Sequence, residues 1–74
     1  MTDKEGTLQM QASGRWAICR PGLDPAEITA GELFRVEVSG ELKLTRMEYG
    51  AGEYYRTDGY PLRAGLRAAI GEKD

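Results

Sequence analysis

The stretch Gly31 to Thr57, GELFRVEVSGELKLTRMEYGAGEYYRT, constrains the fold of this chain more than any other. From Leu33 to Val38, Phe34, Val36 and Val38 alternate with Arg35 and Glu37. That is the period-two pattern of a half-buried strand, and Phe and Val favour pleated surfaces. Ser39-Gly40 interrupts the run with the glycine a tight hairpin needs. Leu42 to Tyr49 is the return strand, Gly50-Ala51-Gly52 a second turn, and Glu53 to Thr57 a third strand.

Two registers fit the first hairpin. A two-residue turn at Ser39-Gly40 sets Val38 opposite Glu41 and Val36 opposite Lys43. Met47 and Tyr49 then share the inner face, while Leu42 and Leu44 point outward beside Arg35 and Glu37. A longer turn puts Leu42 and Leu44 inside, and Met47 and Tyr49 reach the core only through a β-bulge near Thr45-Arg46.

The flanking segments supply further strands. Leu8 and Met10 alternate with Gln9 and Gln11, Ser13-Gly14 signals a turn, and Trp16 and Ile18 are in phase beyond it. This predicts a hairpin of Thr7–Ala12 with Arg15–Cys19. Residues 1–6 are polar and are expected to be a disordered tail. Asp24-Pro25-Ala26-Glu27 carries helix-start signals, Asp as N-cap and Pro at the first helical position. Gly31 follows so soon that a single helical turn, Pro25 to Thr29, is predicted, with Ile28 pinning it to the core. Leu62, Leu66 and Ile70 fit helical spacing, whereas Leu66, Ala68 and Ile70 also alternate. Gly65 disfavours the helix and the open meander edge needs a partner, so Leu66 to Ile70 is read as a closing strand. The expected organisation is a tail at 1–6, one domain at 7–70 and a tail at 71–74.

The predicted fold class is therefore all-β: a small SH3-like barrel or bent antiparallel meander of five to six strands, with at most one or two helical turns. Trp16, Phe34 and Val36 should centre its core. With 74 residues, only about 60% of the unfolded surface is buried on folding, so stability should be modest.

Several short runs follow one another in a set order. Gly14-Arg15-Trp16-Ala17-Ile18 is followed by Thr29-Ala30-Gly31-Glu32 opening a strand. Then come Arg46-Met47-Glu48, Gly52-Glu53-Tyr54-Tyr55, Leu62 and Gly65-Leu66. This order resembles a family of short bacterial proteins grouped as a domain of unknown function, often met on plasmids and other mobile elements. The resemblance spans about residues 7 to 70 and implies an SH3-like strand order, a scaffold that hosts many unrelated binding functions. It implies no activity, cofactor or functional residue.

Chemistry is narrowed by what the chain lacks. There is no histidine and one cysteine, which removes Ser-His-Asp and Cys-His catalysis, a disulfide within the chain and a Cys/His zinc site. No metal, no cofactor and no enzymatic activity are expected. Gly50 and Gly52 belong to a hairpin rather than a phosphate loop. The N-terminal residues lack the basic start and apolar run of a secretory signal, and no apolar stretch approaches a membrane span, so a soluble cytoplasmic protein is expected. Between Gly14 and Ile70 eight basic residues balance eight acidic ones, which disfavours a general nucleic-acid binder.

Surface chemistry remains. Arg46 and Glu48 share one strand face with Leu44, and Arg35 and Glu37 lie alongside. The plain reading is a solvated face of weak cross-strand ion pairs. The functional reading is a partner surface of Arg35, Glu37, Leu42, Leu44, Arg46 and Glu48, with Tyr54 as an exposed aromatic near it. Tyr54 and Tyr55 must face opposite ways, so one belongs to the core. The expected partner is an unidentified protein or a second copy of the chain. An exposed tyrosine beside Arg56 suits contact with protein or single-stranded nucleic acid. Nucleic acid, held by such an Arg/Tyr face, is the alternative.

Overall fold

The computed structural model describes residues 3–71. Seven strands follow one another: β1 (Asp3–Met10), β2 (Trp16–Cys19), β3 (Ala26–Glu27), β4 (Leu33–Val38), β5 (Glu41–Gly50), β6 (Glu53–Arg56) and β7 (Arg67–Gly71). They form one antiparallel sheet in the order β3-β2-β1-β7-β4-β5-β6, curled around its inner face into the small barrel-like all-β fold expected, with seven strands in place of five to six because the segment after Asp24 adds β3. Leu8, Trp16, Ile18, Ile28, Phe34, Val36, Met47, Ala68 and Ile70 fill the inside. Trp16, Phe34 and Val36 are therefore core, as the alternation predicts.

The β4–β5 hairpin takes the two-residue turn. Val38 faces Glu41, Val36 faces Lys43, and the ladder runs unbroken to Leu33 opposite Arg46. Ser39 and Gly40 both adopt positive φ, 53° and 83°, as the turn type matched to strand twist requires. Ala51-Gly52 repeats the device between β5 and β6, at 53° and 84°. No bulge occurs at Thr45-Arg46.

Bulges sit instead where β4 and β7 begin. The Gly31 N–H donates to the Met47 carbonyl (2.6 Å) and the Met47 N–H to that of Glu32 (2.9 Å), so two residues face one. The same pattern sets Gly65 and Leu66 against Leu8, both bonds 2.8 Å. Such bulges put the first residue in the left-handed region and sharpen the twist of the strand. They bend the sheet where it must curl.

Three expectations are corrected. The segment after Asp24 is not helical: Ala26 and Glu27 pair with Ile18 and Ala17, and the Ile28 N–H donates to the Trp16 carbonyl at 2.9 Å. A one-turn helix fixes several dihedrals for a single hydrogen bond, whereas the edge of β2 offers a ready ladder. Ile28 is nonetheless fully buried. Second, β1 starts at Asp3 rather than Thr7, because residues 3–6 pair with 68–71 of β7. Gly6 lies where the chain crosses after β2, and a Cβ there would overlap the Cys19 carbonyl oxygen. Third, Gly71 belongs to β7 rather than to a tail; residues 1, 2 and 72–74 lie outside the described residues. The strand over 66–70 holds, running from Arg67 to Gly71, and the residues between β6 and β7 form no regular ladder.

Candidate partner-binding face

Because the β4–β5 turn has two residues, every second side chain of the hairpin points away from the core. Arg35 and Glu37 from β4 lie directly across from Leu44 and Leu42 of β5. Arg46 and Glu48 continue the same row toward β6. Six of the seven sequence-predicted residues thus share one outer face. Leu44 is 57% exposed and Leu42 is half-buried.

Tyr54 does not join them. It pairs with Tyr49, on the inner side, and packs half-buried against the core. Its ring meets that of Tyr49 edge to face, centroids 4.7 Å apart. Tyr49 keeps the inner parity but stands 55% exposed, because the apolar interior stops at Met47. Tyr55 is the aromatic of the outer face, opposite Glu48 and 48% exposed. Leu33, 50% exposed and opposite Arg46, is a further member that the sequence did not single out. Period two would have found it, since Leu33 has the parity of Arg35 and Glu37.

The face is not flat. β7 pairs with β4 only at Arg35–Ala69 and Val36–Ala68. Beside this short ladder lies a depression of about 430 Å³, bordered by Glu32, Leu33, Arg35, Leu44 and Ala69. One register row crosses it: Glu5, Ala69, Arg35, Leu44. The small Ala69 leaves a low floor between longer side chains. Glu32 is fixed by its own turn, its Oε1 accepting from the Thr29 N–H and hydroxyl, both at 2.8 Å. Glu5 and Arg67 approach to 3.9 Å, an exposed pair of little energetic weight.

Arg56 departs furthest from its expected role. The sequence places it at the surface beside an exposed tyrosine, yet it is only 4% exposed. Its Nη2 donates to Asp58 Oδ2 at 2.7 Å and its Nη1 to the Pro61 carbonyl at 3.3 Å. The guanidinium carbon lies 5.3 Å from the centre of the Tyr60 ring. A buried charge persists only when paired and hydrogen-bonded, and here the pairing ties the irregular segment after β6 to the barrel. Burial pushes the Asp58 carboxyl up. Hydrogen bonds from Arg56 and the Tyr60 N–H, with the guanidinium charge, outweigh it and leave the pKa below its ordinary value. The Arg/Tyr face of the nucleic-acid alternative thereby loses this arginine.

Among the described residues, no group of three or more His, Cys, Asp or Glu is placed to hold a metal ion, and no helix is long and apolar enough to cross a membrane. In comparisons with known proteins, no family model, curated protein or solved structure matches the chain.

Proposed function

We propose that this chain is a non-enzymatic binding module that engages another protein through the outer face of β4, β5 and β6. One observation carries the reading: Leu33, Leu44 and Tyr55 stand about half exposed on a single sheet face, interleaved with Arg35, Glu37, Arg46 and Glu48. Apolar side chains framed by charge have the anatomy of an interface, with an apolar centre and a polar rim. Both signs of charge are present in equal number, which suits a protein surface better than a phosphate backbone. The lone cysteine, half-buried Cys19, fits a reducing cytoplasm as its place of work.

Changing Leu42 and Leu44 together to Ser tests the proposal. The variant is expected to keep its circular dichroism and melting curve while losing partner capture or self-association. Unfolding of the double variant, or undiminished association, defeats it. Salt adds a second arm, since nucleic-acid binding weakens steeply with ionic strength and a protein interface of this charge balance only slightly.

A further inference from the structure

Among the described residues, no strand pairs with β6 on the side opposite β5. The ladder fixes which backbone groups face that edge. Gly50 and Glu53 close a two-residue hairpin, so they exchange hydrogen bonds, as do Glu48 and Tyr55 two residues on. The Thr57 N–H donates to the Arg46 carbonyl at 3.2 Å, in the same phase. The N–H and C=O of Tyr54 and the N–H of Arg56 therefore point away from β5. The Arg56 carbonyl accepts from the Gly59 N–H at 3.4 Å, whereas the Tyr54 backbone has no partner among the described residues.

Along this edge runs a groove of about 360 Å³, between β6 and the β1–β2 hairpin. Met10, Trp16, Tyr54, Tyr60 and Leu62 line it, and Glu53 stands at its rim. Met10 and Tyr60 are 57% and 53% exposed. No lysine or arginine contributes to the lining.

We propose that this groove takes an extended segment of a partner protein, which adds a strand to β6. The unpaired Tyr54 amide and carbonyl are the two main-chain contacts that strand addition uses, and alternate side chains of the added strand enter the apolar floor. Charge selects the class of occupant. A carboxylate at the rim and no cation in the lining repel a nucleic-acid backbone and favour a segment carrying Lys or Arg opposite Glu53. The position of the Tyr54 carbonyl excludes proline from the occupant residue that donates to it. Tyr55 borders both this groove and the outer face of β4, β5 and β6. The Tyr54 main chain and Met10 belong to the groove and Leu44 to the face, so variants at Met10 and Leu44 separate the two.

The probe is a phage-displayed library of random linear peptides panned on the intact chain, followed by the enriched peptide in synthetic form. Enriched sequences should share alternating apolar residues and a Lys or Arg. The peptide should slow hydrogen exchange of the Tyr54 amide and leave that of Tyr55, already bonded to β5, unchanged. Met10→Asp and Glu53→Lys, both at exposed positions, should each weaken binding roughly tenfold or more, while Leu44→Ser leaves it intact. Panning that enriches no common sequence, or a peptide that binds without slowing the Tyr54 amide, overturns the proposal. So does binding of an oligo-dT probe that Met10→Asp abolishes.

Discussion

Gly31 and Gly65 share one backbone conformation, φ +91° in both, and each is the first residue of a bulge in which two residues oppose one. Their partners, Met47 and Leu8, are both fully buried. The two strand entries are thus built alike, Thr29-Ala30-Gly31-Glu32 before β4 and Arg63-Ala64-Gly65-Leu66 before β7. A Cβ at either glycine would meet nothing within 4 Å, so a side chain there is opposed by backbone strain alone. Gly31→Ala and Gly65→Ala should each cost about 1–2 kcal/mol, read from urea unfolding. Gly6 differs, since its Cβ would strike backbone rather than open space. Gly6→Ala should lower the midpoint further than either, and equal midpoints would argue against the tight crossing after β2.

Phe34 is 1% exposed at the centre of the core. Phe34→Ala should destabilise by about 3–5 kcal/mol, enough to unfold much of a domain this size at ambient temperature. A wild-type melting curve for that variant contradicts the packing described for β4.

Leu44 and Leu8 offer a paired comparison of the same side chain outside and inside the sheet. Leu44→Ser should shift stability by less than about 0.5 kcal/mol, as expected of an exposed position. Leu8, fully buried, should lose about 2–5 kcal/mol on change to Ala. Similar losses at both sites would show the outer face to be covered within the folded chain.

Asp58 links stability to acid. Its carboxyl titrates below the ordinary 3.8 in the folded state, so the unfolded chain binds that proton more readily. The stabilisation stands in full above the unfolded value and is lost as pH falls through the folded one. Between pH about 5 and 2, the wild type should lose more stability than Asp58→Asn, by chemical denaturation at each pH. Parallel pH profiles for the two would mean that the pairing with Arg56 does not stabilise the fold.

Period two and turn glycines made most of the architecture legible, along with the outward direction of Arg35, Glu37, Arg46 and Glu48. The hairpin register was not, because each turn length buried a plausible set of apolar residues, and only the positive φ of both Ser39 and Gly40 separates them. Residues 3–6 look like a tail because their partner strand, β7, is remote in sequence, and local polarity carries no trace of it. β3 was hidden by Asp24-Pro25, whose helix-start chemistry is real but has no length to act on before Gly31. Arg56 reads as a surface cation since arginine is rarely buried, and only its spacing from Asp58-Gly59 hints at a local anchor. Tyr54 and Tyr55 were separable as opposite in direction but not assignable to a face without the position of the core edge.

Among the described residues, β7 alone pairs with both halves of the sheet, β1 on one side and β4 on the other. On the ribosome, the segments on either side of its slot emerge first, as two three-stranded pieces, each with an unfilled edge. Every nascent chain therefore passes through a stage in which those edges can pair with a neighbour on the same message. The hazard ends only when β7, made after both pieces, drops between them. The arrival of β7, rather than any earlier event in synthesis, is then the moment at which this barrel becomes a cooperative unit.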